Sequence, residues 1–375
     1  MHILLAPDKF RGSLTAEQVI EAMREGILDV LPNAQITAIP LADGGEGTAT
    51  TLARATHGRI CHTYIYDALM RPIEAAFGLS GDGKTAYIEM AAASGLQLLS
   101  FDERNPMETS TFGTGELILK AIDLGVENII LCIGGSATND AGMGMAAALG
   151  FRFLDEKKEV LKPVGKNLIL VKSIDNQHVT IDFSKINIAV ACDVGNPLYG
   201  KNGAAYIYAR QKGATDEQIE ILDKGLKNFG QIADDFFKKE AKILRGGGAA
   251  GGLGAGAVWF LNATLKSGID LVMQETNFET AVKKADLILT GEGKIDFQTL
   301  EGKVLKGITR LAEKHKVPVI ALCGTLDLNP SQIRELGLAY ATSILKRPCS
   351  LAEASENAFV WVKEATSQIV SWGLM

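Results

Sequence analysis

Short apolar runs alternate with amphipathic segments along most of the chain. HILLAPD at the start predicts a buried strand. SLTAEQVIEAMREGILDVL, with apolar positions three and four apart, predicts a helix capped by Ser13 or Thr15. QITAIPLADGGEGT adds a strand, a glycine-rich corner and a helix opening near Gly47. From about residue 59 to 90 the pattern changes to alternation with turn signals, RICHTYIYDALMRPIEAAFGLSGDGKTAYIEM, which predicts antiparallel hairpins. Strand and helix resume in GTGELILKAIDLGVENIILCIGG, IDFSKINIAVACD adds one or two strands, and DEQIEILDKGLKNFGQIADDFFKKEAKIL predicts a long amphipathic helix. After Ala285 the runs ADLILTGEG, VPVIALCG and AYATSIL read as strands, separated by helices over 303–316 and 330–336, with a last helix over 351–370. The pattern predicts an α/β protein. A doubly wound (Rossmann- or flavodoxin-like) parallel-sheet domain spans 1–64 plus 285–375, and a large α/β domain is inserted at 65–284.

Composition agrees with a globular reading and narrows the partners. Of 375 residues, 47% are hydrophobic and 22% charged, enough to fill a large core. The 40 glycines cluster in motifs, so they signal turns and close backbone approach rather than disorder. A formal net charge of -6 argues against nucleic acid or an anionic membrane as the main partner. The five cysteines are odd in number and show no CxxC spacing, so neither a zinc site nor a disulfide framework is expected. MHILLAPDKF turns charged too early for a signal peptide, and no apolar run reaches membrane-spanning length. A cytoplasmic protein is expected. Its oligomeric state stays open, a homodimer included.

Two motif matches fail on context. GLSGDGKT fits the Walker A expression, but Asp82-Gly83 lies between two strand-like runs and reads as a hairpin turn. RGGGAAG places GxGxxG at Gly246, Gly248 and Gly251 after a long helix, where the dinucleotide fingerprint needs a strand. These glycines leave two readings open, backbone approach to a ligand or tight packing of helices through small residues.

Five glycine-bearing polar segments follow apolar runs: APDKFRGS (6–13), PLADGGEGT (40–48), IGGSATNDAG (133–142), ACDVGNPLYGKNGA (191–204) and ILTGEGKID (288–296). In open parallel sheets, ligands bind beyond the carboxyl ends of strands. One such segment is an ordinary capped turn, but five in one chain are hard to explain that way. No histidine lies in them, which speaks against a Ser-His-Asp hydrolase or a histidine-liganded metal. Carboxylates suit Mg2+, and Lys9, Arg11, Lys294 and Lys303 can neutralise phosphate or carboxylate charge. Phosphoryl transfer fits this inventory, because it rests on positioning and charge neutralisation. Two other classes remain, an NAD-dependent hydroxy-acid dehydrogenase and a non-catalytic sensor of small anions.

APDKFRGSLTAEQV, PLADGGEGT, GDGKTAYIEMAAASGL, TGELI, IGGSATND, ACDVGNPL, GAAGGLGAG and TGEGKID, in this order, resemble the type-1 glycerate kinases from the first strand to the last helix. The sequence departs at GMGMA after the Asn-Asp pair, at Gly195 where threonine is frequent, and at Arg11 where lysine is common. The resemblance implies ATP- and Mg2+-dependent phosphorylation of D-glycerate, 2-phosphoglycerate being the expected product, in a cleft between two α/β domains. On that basis Asp193 is the candidate to orient or deprotonate the attacking hydroxyl, with Asp8 as runner-up; for both, the alternative is a turn carboxylate capping backbone amides. Lys9 and Arg11 are assigned to carboxylate or γ-phosphate. Asp43, Gly44, Glu46, Ser136 and Asn139 are assigned to the substrate. Gly134, Gly135, Thr138, Gly248, Gly251, Gly252, Glu292 and Lys303 are assigned to the nucleotide. Asp140 and Asp296 are candidate metal ligands, with N-capping the alternative for Asp140 and a solvated face the alternative for Glu292 and Asp296.

Overall fold

The computed structural model describes residues 1–375 apart from 11, 43, 298, 300–302 and 373–375. Its strands among the described residues are β1 (His2–Leu5), β2 (Gln35–Ala38), β3 (Arg59–Tyr66), β4 (Pro72–Leu79), β5 (Thr85–Glu89), β6 (Asn128–Cys132), β7 (Arg152–Leu154), β8 (Ser173–Asp175), β9 (Asn187–Ala191), β10 (Thr264–Lys266), β11 (Leu287–Ile295), β12 (Val319–Leu326) and β13 (Tyr340–Ser343). They divide between two compact units, Met1–Asp43 with Val272–Met375, and Gly44–Leu271.

The first unit is built on a five-stranded sheet of order β13-β12-β11-β1-β2, parallel throughout. Strands covered on both faces read as unbroken apolar runs, and Ile3, Leu4 and Leu5 of β1 are wholly buried. From the centre of the sheet the chain leads outward in two directions, β1 to β2 on one side and β11 to β12 and β13 on the other. The helix Ala16–Val30 opens with a capping box: the Gln18 amide donates to Thr15 Oγ1, and the Thr15 amide donates to Gln18 Oε1. Thr15, not Ser13, is the cap. This helix packs along the C-terminal helix Leu351–Trp372.

The second unit carries a six-stranded sheet of order β10-β9-β6-β5-β4-β3, parallel from β10 to β5 and antiparallel from β5 to β3. The expected hairpins are therefore present. Of the Walker-like glycines, Gly78 lies inside β4 and Gly83 in the turn before β5, where it has φ 73° and Asp82 Oδ1 accepts from Ser80 Oγ and the Lys84 amide. The division between units falls at 43/44 and 271/272, whereas the sequence pattern places it at 64/65 and 284/285. The reason is pairing: β3 joins β4 along its whole length, and the helix Thr48–Ala55 packs on β4 and β5. Phe151, Phe153, Phe229, Trp259 and Phe260 meet edge-on or tilted in the core of this unit, beside the small antiparallel pair β7–β8.

Contact between the first and last helices depends on Gly26. A Cβ there would lie 2.2 Å from the Lys363 carbonyl oxygen and 2.9 Å from Thr366 Cβ. Helix propensity favours alanine over glycine by about 1 kcal/mol, but an overpacked backbone contact costs about 1–3 kcal/mol, and here the obstacle is main chain. Gly26→Ala is expected to lower stability by about 1–2 kcal/mol in urea unfolding; a stabilised variant would show that these helices separate freely.

Candidate functional site

Three of the polar corners gather at the carboxyl ends of β6 and β9 in the second unit. A Cβ on Gly44 would lie 2.9 Å from Ala191 Cβ and 3.3 Å from Gly268 Cα, and one on Gly134 would lie 3.4 Å from Gly45 Cα. The Gly44-Gly45 pair, IGGSATND and ACDVG are thus neighbours. Gly134 and Gly135 are exposed, whereas Ser136, Thr138, Asn139 and Asp140 are buried. Asp193 lies just beyond β9, and its Oδ1 accepts from the Gly268 amide at 3.1 Å, at the head of the helix Gly268–Glu275. Glu46 is exposed in the corner before the helix Thr48–Ala55.

A fourth glycine-rich segment closes on the same corner. Ala250, Gly251 and Gly252 have φ of 52°, 68° and 93°, a left-handed stretch at the start of the helix Ala249–Phe260. The Gly251 carbonyl accepts from the Ala141 amide at 3.0 Å, and a Cβ on Gly251 would lie 2.1 Å from the Thr138 carbonyl oxygen. The Gly248 amide donates to the Asn196 carbonyl at 3.0 Å. These glycines permit backbone to approach backbone, which is the packing alternative left open by the sequence. The element before them is a 3-10 turn, Ala241–Ile243, so the GxGxxG match has no preceding strand and the nicotinamide reading loses its support.

Asp140 shows what the buried part of the corner requires. Its carboxylate is fully enclosed and takes hydrogen bonds from the Thr111 amide (2.8 Å), Thr111 Oγ1 (2.8 Å), the Gly142 amide (3.2 Å) and the Gly144 amide (3.0 Å). Burial pushes its pKa up, and these four donors oppose that shift. The same two oxygens are the ones that the metal reading assigns to a cation, and Gly142 is the residue at the cap of the helix Met143–Ala148. Buried beside it, Lys212 Nζ donates to Ser136 Oγ and to the Thr138 carbonyl, both at 2.7 Å. Burial pulls this lysine down to about 7, with the Asp140 charge opposing. Thr138 Oγ1 and both polar atoms of the Asn139 side chain are buried without a hydrogen-bond partner among the described residues. Lys212 is absent from the candidates drawn from sequence. It stands in ARQKGATDEQ, a string with the look of an exposed turn.

In the first unit the segments 6–13 and 288–296 meet side by side. The Asp8 amide donates to the Gly291 carbonyl at 2.9 Å, and Asp8 Oδ1 accepts from the Lys9 amide at 2.7 Å. The second segment departs from expectation, because β11 continues through Ile295 and Glu292 lies inside the strand, paired in register with Cys323. Thr299 Oγ1 donates to Glu292 Oε1 at 2.9 Å and accepts from the Asp296 amide at 3.1 Å. Asp296 is buried and pairs with Lys294 at 2.8 Å, which raises the lysine pKa. Arg11 and Asp43 lie outside the described residues, as does the side chain of Lys303, whose backbone opens the helix Lys303–His315. Among the described residues, no three or more His, Cys, Asp or Glu side chains group as a metal cage, and no helix is long and apolar enough to cross a membrane.

A family model described as the glycerate kinase family matches residues 3–373. A glycerate kinase of Halalkalibacterium halodurans is 45% identical over 373 residues, covering 99% of this chain and 98% of that protein. The glycerate 2-kinase of Escherichia coli (strain K12) is 40% identical over 371 residues, covering 99% and 97% respectively. A crystal structure from Salmonella typhimurium LT2, described as a presumptive glycerate kinase 2, matches with a TM-score of 0.91 at 42% identity, covering 99% of this chain and 97% of that one.

The four donors on Asp140 yield a test of its structural role. Asn at this position keeps the size but turns an amide NH2 toward groups that themselves donate, so Asp140→Asn is expected to lose about 2–4 kcal/mol in urea unfolding. Stability within about 0.5 kcal/mol of the parent, the range of an inconsequential surface change, would show that the hydrogen bonds contribute little.

Proposed function

The chain belongs to the glycerate kinase family of phosphotransferases, and we propose that it transfers the γ-phosphoryl group of ATP to the 2-hydroxyl of D-glycerate with the help of Mg2+. The observation that carries this reading is the meeting of three glycine corners at the ends of β6 and β9, with Asp193 at their edge. The printed name of the Escherichia coli relative supports the 2-hydroxyl as acceptor.

Each residue then has a role set by its chemistry. The exposed amides of Gly134 and Gly135 face the phosphate end of the nucleotide. The side chains of Asn139 and Thr138, whose polar atoms lack partners among the described residues, meet polar groups of the ligands. Asp193, oriented by the Gly268 amide, accepts the proton of the attacking hydroxyl as the new P–O bond forms and the bond to ADP breaks. Lys9, with Arg11, offsets the charge of the glycerate carboxylate or the γ-phosphate. Asp8, beside Lys9, is the second candidate for the proton.

Glu292 and Asp296 offer the hard oxygen donors that Mg2+ takes. Held by Glu292 and Asp296, Mg2+ would offset phosphate charge during the transfer.

Asp193→Asn keeps the hydrogen-bond geometry nearly intact and removes the proton acceptor. Turnover with ATP, Mg2+ and D-glycerate is expected to fall at least ~100-fold, with the ATP dissociation constant within about threefold of the parent. Unchanged turnover would move the base to Asp8. The product should give the 31P spectrum of 2-phosphoglycerate; a 3-phosphoglycerate signal would reject the proposed acceptor.

A further inference from the structure

We infer that Lys212 is a positioning residue of the transfer reaction, holding the Ser136–Asn139 corner in the shape that receives the phosphate end of ATP. This rests on the proposed role of that corner.

Three observations lead to it. Lys212 is 1% exposed, and its two hydrogen bonds run to Ser136 Oγ and the Thr138 carbonyl, groups on either side of Ala137 in the corner and more than seventy residues away in sequence. It reaches them from an unusual backbone. A π-helical turn, Ala205–Ala209, runs directly into the 3-10 turn Arg210–Lys212, which Gly213 ends at φ 94°. Single π-turns of this kind occur disproportionately at functional sites. The corner it grips is divided, with Gly134 and Gly135 exposed on one side and unpartnered polar atoms of Thr138 and Asn139 enclosed on the other.

A structural role alone accounts poorly for this arrangement. Burying an amine is costly, and a well-packed apolar side chain of similar volume often does as well or better for stability. What an apolar residue lacks is a pair of N–H donors that fix a hydroxyl and a carbonyl on opposite sides of one peptide segment. Fixing both settles the direction of the peptide units leading back to Gly135 and Gly134. Amine and ammonium alike supply the two donors.

The test compares Lys212→Met, which keeps the stem and removes the donors, with Lys212→Arg, which retains donors and charge. ATP binding is read by titration calorimetry with Mg2+, turnover by glycerate-dependent ADP release, and folding by thermal unfolding. Lys212→Met is expected to unfold within about 5 °C of the parent, to bind ATP at least ~10-fold more weakly and to turn over at least ~100-fold more slowly. Lys212→Arg is expected to recover part of the ATP affinity. Parent-like binding and turnover in Lys212→Met overturns the inference, and so does a loss that merely tracks the unfolded fraction. If both variants fail to fold, Ser136→Ala is read in the same way, and unchanged ATP affinity in it overturns the inference. A parent protein that binds ATP but leaves D-glycerate unphosphorylated rejects the proposed function while the ATP-binding comparison still decides the role of Lys212.

Discussion

A carboxylate can remain inside a protein only if something replaces the water it gave up. At Asp140 the replacement is four hydrogen-bond donors, the backbone amides of Thr111, Gly142 and Gly144 and the Thr111 hydroxyl. Because these donors come from the segment before the helix Phe112–Asp123 and from the turn leading into Met143–Ala148, one acid joins two elements to the end of β6. Everything proposed for the glycine corner presupposes that joint. The Gly251 carbonyl locks Ala141 on one flank, and Lys212 holds Ser136 and Thr138 on the other. Gly134 and Gly135, both exposed, therefore belong to a segment anchored at several points, which is the condition for their amides to meet an anion with little reorganisation.

Small residues serve this region in two different ways. Gly134 and Gly135 leave main chain open to solvent, while Gly251 and Gly252 let main chain approach main chain. Both uses produce the same letters in the sequence, and only contacts tell them apart. Carboxylates divide similarly. Asp140 faces inward and serves the fold, whereas Asp193 stands at a strand end with one oxygen held by a helix amide.

Much of the architecture was legible in the pattern of residues. Unbroken apolar runs marked β1, β6 and β9, and period-two alternation marked the hairpins of β3, β4 and β5, because each reflects how a strand is covered. The limits were equally physical. TGEGKID reads as a corner because glycine and charge are rare inside strands, yet β11 runs through it with β12 alongside. The compact units divide at 43/44 rather than at 64/65 because β3 pairs with β4 along its whole length, a partnership that the hairpin pattern of 59–90 implies. For Asp140 the residues alone gave no sign of the Thr111 partners, which lie in a distant segment. Lys212 was invisible, because its partners lie far off in the sequence and its own neighbourhood has the composition of a solvated turn.

The discontinuous first unit has a consequence for biosynthesis. β1 pairs with β2 on one side and with β11 on the other, and more than two hundred residues separate β2 from β11. A ribosome making this chain releases β1 and β2 long before β11 exists, so one edge of the nascent pair waits with its amides and carbonyls unmatched. Such an edge invites association with other chains. The second unit, continuous from Gly44 to Leu271, can be complete while the first is still half a sheet. Chaperone engagement during translation would matter most in that interval.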